Sequence, residues 1–248
     1  MSNDARRPLE GETAIVTGAG RGIGRVIAIA LAKAGATVAL ASRSADEVSR
    51  TAAEIHALPG RALTFPTDVT SRAAVEELVA STLAETGRID VVVNNAGVFV
   101  WKPFAALEEE EWDRILDTNL KSSYLLVRAA LPALTASGRG RVVNVVSIHG
   151  SVGEANVVAH CAAKFGLVGL TKALAAELRG AGITVNAVSP GATDNKTLAP
   201  DPHVAPLKEK LHAEDVANAV LYLVSPGASA VSGAVLDVWG GTSVAIRV

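Results

Sequence analysis

Cysteine occurs once in these 248 residues, at Cys161, and a single thiol excludes an internal disulfide. Aromatic residues make up only 4% of the chain, so its 49% hydrophobic content rests mostly on alanine, valine and leucine, as expected where helices pack on buried strands. That composition favours an α/β enzyme scaffold over a disulfide-built or disordered chain. Charge of one sign is also missing: 23 basic and 25 acidic residues give −2, interspersed, with no basic footprint for nucleic acid. The start "MSNDARRPLEG" has no apolar signal core, and no apolar run approaches the roughly 18 residues that cross a bilayer. The expectation is a cytoplasmic protein with neither membrane nor nucleic-acid partner. His56, His203 and His212 are scattered without a ligand spacing, so no metal site is expected.

What is present is alternation. Short β-branched runs at 13–18, 37–42, 62–67, 89–94, 140–147, 182–189 and 234–239 are separated by stretches with apolar residues three and four apart, such as "GIGRVIAIALAKAG". Strand, helix, strand repeated in this way predicts parallel pairing and one doubly wound α/β domain over residues 1–248. The stretch 192–212 carries three prolines and little periodicity, and predicts a substrate loop.

"TGAGRGIG" (17–24) follows the first run and opens the first helix. Gly18 serves the tight turn, Gly22 lets backbone approach a pyrophosphate, and Gly24 allows close helix–strand packing, with Ile23 between them. Unpaired N–H groups at the helix N-terminus then face the phosphates. The second strand ends in Ser42 and Arg43, where a carboxylate would bind the ribose hydroxyls of NAD. With Arg21 in the glycine loop, two guanidiniums near that ribose predict NADP(H).

Together with "DVT" (68–70), "NNAG" (94–97), "NLKSSY" (119–124), Ser147, Lys164 and "NAVSPG" (186–191), this loop resembles the short-chain dehydrogenase/reductase family over nearly the whole chain. The branch that matches in length includes 3-oxoacyl-acyl-carrier-protein reductases. The resemblance implies a Rossmann-like, seven-stranded parallel sheet with helices on both faces, a nicotinamide cofactor, hydride transfer at a carbonyl or alcohol carbon, and a homotetramer or homodimer. By the same resemblance, Asp68 and Val69 edge the adenine, and Asn94, Asn95, Ala96 and Gly97 line the cofactor. Asn119 bends its helix and holds a relay water, and Ser147 hydrogen-bonds the substrate oxygen. Lys164 binds the nicotinamide ribose, while Pro190 and Gly191 flank the nicotinamide. The amide contact falls to Thr193 or Asn195, where the family has a threonine.

The family's acid is a tyrosine four residues before the lysine and thirteen after the serine, and both counts land on His160. Spacing of four puts His160 beside Lys164 on one helical face. Imidazole starts near a pKa of about 6.5 and a neighbouring cation lowers it, so His160 should be neutral at pH 7. Its reach is shorter than tyrosine's, and a bridging water or a deeper substrate would compensate. Two histidines and a serine could converge on one oxygen, since His149 follows Ser147 by two residues. For His149 the favoured place is the pocket wall, with Trp101 and Val152, and Phe99 and Phe104 are further apolar lining. Cys161 points away from the face of His160 and Lys164 and reads as packing.

The function this predicts is NADPH-dependent reduction of a moderately apolar ketone or an acyl-carrier-bound keto group, through an altered set of Asn119, Ser147, His160 and Lys164. The competing class is a cofactor-binding member that no longer reduces ketones and serves as an isomerase or dehydratase, or as a partner subunit.

Overall fold

A computed structural model describes residues 7–191, 193 and 211–240. Seven strands form one parallel sheet: β1 (Thr13–Thr17), β2 (Thr37–Ser42), β3 (Arg61–Pro66), β4 (Val91–Asn94), β5 (Arg141–Val145), β6 (Thr184–Pro190) and β7 (Val235–Val238). Their order is β3-β2-β1-β4-β5-β6-β7, so all seven expected runs are strands. The helices are α1 (Gly22–Lys33), α2 (Ala45–Ile55), α3 (Arg72–Thr86), α4 (Glu109–Leu116), α5 (Ser122–Ala136), α6 (Val158–Leu178) and α7 (Ala213–Val224).

The strands are apolar along their length because both faces are covered. In β1, Ala14 and Val16 pack toward α1, α2 and α7, while Ile15 between them packs toward α3, α5 and α6. The pleat divides one short run between two cores in this way. Serines start two of the helices: Ser44 and Ser71 accept from the backbone N–H groups of Glu47 and Ala74 at 3.3 Å each.

Strand order reverses between β1 and β4, which opens a crevice at the carboxyl ends of the strands. A buried chain of hydrogen bonds holds α6 at that crevice. Asn94 Nδ2 donates to Asn144 Oδ1 (2.8 Å), Asn144 Nδ2 donates to Thr171 Oγ1 (2.8 Å), and Thr171 donates to the Leu167 carbonyl (2.8 Å). This sequence of amides joins β4, β5 and α6 without an exposed atom to compete.

With its flanking turn, α6 (Val158–Ala181) is long and apolar enough to cross a membrane by length and composition. It is a core helix: Ala163, Leu167, Thr171, Ala175 and Leu178, spaced by about one turn, are buried, and most pack against the sheet. Interspersed alanine raises its apolar content without a continuous run of large side chains.

Replacing Asn144 with alanine strands the Asn94 amide in a buried site, which costs about 1–3 kcal/mol. The urea midpoint of Asn144→Ala is therefore expected to fall, with the slope unchanged.

Candidate active site

At the carboxyl end of β1 the chain turns sharply into α1. Gly18 (φ +66°) and Gly22 (φ +54°) sit in the left-handed region, which favours glycine. A Cβ on Gly22 would meet nothing within 4 Å, so the backbone there is open to a ligand. A Cβ on Gly24 would lie 2.3 Å from the Gly18 carbonyl oxygen. The third glycine therefore lets the helix start pack against its own loop, where strand contact was expected. Arg21, at the N-cap of α1, makes no side-chain capping bond, so the first N–H groups of the helix remain available to an anion.

This loop forms one wall of a cleft of about 580 Å³, which Ser42, Arg43, Asp68, Val69, Asn95, Ala96 and Gly97 also line, together with Arg21, Ile23 and Gly24. Thr17 organises the opposite wall. Its hydroxyl accepts from the N–H groups of Asn95 and Ala96, each at 3.0 Å, and the Asn95 amide donates to the Thr17 carbonyl. Asn94, by contrast, is turned into the sheet. Asp68 accepts from the N–H and hydroxyl of Thr70 (2.9 and 2.7 Å), and these bonds hold its carboxyl below the usual range, with Arg43 adding to them. Glu47 also lines the cleft, 3.9 Å from Arg21. It packs so closely on Gly20 that a Cβ there would lie 2.6 Å from its own. An open turn, a free helix N-terminus and flanking cations fit a dinucleotide.

A second cavity, of about 250 Å³, continues from the first through Ile23, Asn95, Gly97 and Val98. Ser147, His160, Lys164, Phe99, Pro190 and Gly191 enclose it. His160 and Lys164 lie one turn apart on α6, both buried. Lys164 Nζ donates to the Val145 carbonyl at 2.8 Å, which leaves two hydrogens for other oxygens. Between α4 and α5 the helix loosens into a π turn at Asp117–Lys121, and this turn carries Asn119 inward. The Asn119 amide grips Val98 from both sides, accepting from its N–H (2.7 Å) and donating to its carbonyl (2.8 Å). Its nitrogen also lies 3.3 Å from His160 Nδ1. An amide nitrogen only donates, so where this contact is a hydrogen bond Nδ1 accepts and the ring is the tautomer protonated at Nε2.

His149, Trp101 and Val152 do not line this second cavity. Trp101 stands outside, 57% exposed, with its ring 6.3 Å from that of Phe99. The Val152 carbonyl meets the Cys161 thiol at 3.8 Å. His149 lies behind Ser147, its ring 5.6 Å from that of His160. It also reaches Glu154, with Nε2 2.5 Å from the carboxylate. Glu154, Thr17 and Glu47 escaped the sequence reading, although Glu154 lies only five residues past His149. Thr193 pairs with Leu211 in an isolated parallel bridge. Asn195 and most of the 192–212 loop lie outside the described residues.

Comparison with known proteins agrees with this geometry. The family model for short chain dehydrogenase matches residues 12–203. Over 241 residues the chain is 34% identical to the 3-oxoacyl-[acyl-carrier-protein] reductase FabG of Thermotoga maritima, covering 94% of this chain and 98% of that protein. It is 35% identical over 240 residues to FabG of Escherichia coli, covering 94% and 97%. A crystal structure of a candidate short-chain alcohol dehydrogenase from Sinorhizobium meliloti 1021 superposes with a TM-score of 0.88 at 32% identity, covering 96% of this chain and 98% of that one. The chain belongs to the short-chain dehydrogenase/reductase family. It is an NAD(P)-dependent oxidoreductase of the CH–OH/C=O type.

The electrostatics of this short-chain dehydrogenase differ between its two buried bases. Burial lowers the Lys164 pKa to about 8, so the ammonium still prevails at pH 7. Burial, then Lys164, then His149 push the His160 pKa down to about 3, and the Val98 carbonyl offsets only part of this. The imidazole of His160 is neutral across the physiological range.

This neutrality has a cost in acid. Between about pH 6.5 and pH 3 the unfolded chain binds a proton at His160 that the folded protein refuses, so stability falls as pH falls through that window. From pH 7 to pH 5 the difference amounts to about 2 kcal/mol. Urea midpoints at the two pH values should show the native protein losing more stability than His160→Phe by that amount.

Proposed function

We propose that this short-chain dehydrogenase reduces a moderately apolar ketone with NADPH, using Asn119, Ser147, His160 and Lys164. The observation that carries the reading is the continuity of the two cavities, from the glycine loop to Ser147, His160 and Lys164. A cofactor held at the loop would extend toward these side chains. The relatives named above for reducing 3-oxoacyl groups on an acyl carrier support a keto group carried in the same way as substrate. Phe99, at 45% exposure, and Trp101 offer an apolar entrance for its chain.

When bound, the nicotinamide supplies hydride to the carbonyl carbon. Ser147 Oγ and the Nε2–H of His160 hold the carbonyl oxygen as charge grows on it. A neutral imidazole can serve as such a donor when its environment suppresses the cation. Lys164 anchors the ribose through the hydrogens not used by Val145. Asn119 keeps His160 in the required tautomer.

NADPH is favoured over NADH because β2 ends in Ser42 and Arg43 with no carboxylate, and the N-terminus of α2 lies beside them. Arg21 adds a second cation, while Glu47 opposes it in part. A homotetramer or homodimer belongs to the same reading, with exposed Tyr124 on α5 and Phe165 on α6 as surface for a second copy. A cytoplasmic setting suits the single thiol.

Two experiments test this. Ser42→Asp combined with Arg43→Ala should weaken NADPH binding by about tenfold or more, the scale of one charge-assisted hydrogen bond, and leave NADH binding equal or tighter. An unchanged preference in fluorescence titration would remove the argument for the 2′-phosphate. Across a panel of ketones, diketones and acyl-carrier-bound keto substrates, His160→Phe should lower turnover by about a hundredfold with NADPH affinity nearly intact. Turnover equal to the native value would exclude His160 from the reaction.

A further inference from the structure

His160, standing where the family has its acid, is a poor source of a proton. Its imidazole is neutral at pH 7, held there by burial and by Lys164. It can hydrogen-bond an oxygen through Nε2, but no imidazolium is present to neutralise an alkoxide. Some other group must give the proton, and it must reach the oxygen that Ser147 touches.

The second histidine has the geometry for this. His149 Nδ1 lies 3.4 Å from Ser147 Oγ, and the backbone N–H of His149 donates to that oxygen at 3.2 Å. On the other side of the ring, Nε2 lies 2.5 Å from Glu154 Oε2. An ionised carboxylate only accepts, so Nε2 carries hydrogen in this contact. Both ring nitrogens are thereby aimed, one at Ser147 and one at a carboxylate. Glu154 keeps 35% of its side chain in solvent, whereas His149 keeps 13%, so the series runs from water to the cavity wall.

We propose that Glu154, His149 and Ser147 form a proton relay that supplies the substrate oxygen, with His160 as a neutral hydrogen-bond donor beside it. The inference rests on the reductase reading above. Once the carbonyl carbon has accepted hydride, its oxygen takes the Ser147 hydroxyl proton, and Ser147 Oγ takes the proton on His149 Nδ1. The ring, left neutral, keeps its Nε2 hydrogen on Glu154. After the alcohol leaves, solvent returns one proton to Nδ1, which balances the one proton consumed per carbonyl reduced.

The charges around His149 are consistent with this division of labour. Glu154, from the same loop, is the counter-charge to an imidazolium at 149. The His160 ring faces it from α6, one turn from Lys164. The two rings lie 5.6 Å apart, and of the two it is His149 that has a carboxylate partner.

The test combines a measurement on the cofactor-free chain with kinetics. Nitrogen-15 spectra of the histidine rings, with His149 assigned by His149→Gln, should show the midpoint of its titration falling by about one pH unit or more in Glu154→Gln. A His149 titration indifferent to Glu154→Gln would overturn the relay. In turnover, His149→Gln should cost about tenfold to a hundredfold in kcat with NADPH affinity unchanged, and Glu154→Gln should shift the pH profile. Added imidazole should restore part of the loss in His149→Ala. Native kcat and an unmoved pH profile in both variants would also overturn the proposal. If the native chain reduces no carbonyl, the reductase reading fails, and the spectra alone decide whether Glu154 and His149 share a proton next to Ser147.

Discussion

One side-chain amide connects the parts on which the site depends. Asn119 holds the N–H and carbonyl of Val98 and meets Nδ1 of His160, so the segment after β4, the bulged helix and α6 share a single fastening. The π turn at 117–121 makes this possible, because a regular helix would carry the amide along its surface. Ile115, Ala159 and Ala163, packed with Val98, Val100 and Trp112, form a small apolar floor below it. Dry surroundings strengthen each of the three contacts and make each more costly to lose. The floor and the amide therefore act together: packing excludes water, and the amide satisfies the polar groups that packing would otherwise strand.

That arrangement also explains how a histidine can occupy its position on α6. A buried imidazole next to an ammonium must be neutral, and a neutral ring has one donor and one acceptor. In the tautomer protonated at Nε2, Asn119 takes the acceptor side and the donor side is left for the cavity that Ser147 also lines. A phenol would bring one group that both donates and ionises. Here those two abilities are divided between residues.

The fold was legible from the chain because its signals are redundant. Each of the seven runs is β-branched, each is bounded by helix periodicity, and the glycine turn falls where the first run ends. The glycine-loop cleft was legible for the same reason, since Gly18, Arg21, Ser42, Arg43 and Asp68 occupy fixed offsets from strand ends. What escaped depends on side chains meeting across loops. Glu154 reaches back to His149 through an irregular stretch that includes Asn156 at φ +68°, and no periodicity encodes such a return. Thr17 was quoted as part of a motif, yet its role in holding Asn95 and Ala96 requires β1 and β4 to be neighbours.

The bridge between Thr193 and Leu211 has a consequence of another kind. Leu211 is buried and the next residue opens α7, where the His212 N–H donates to Asp215 at 2.9 Å. Leu211 thus ties this bridge to the start of α7. The bridge therefore closes the interval between β6 and α7 at the end of the sheet where Pro190 and Gly191 line the second cavity.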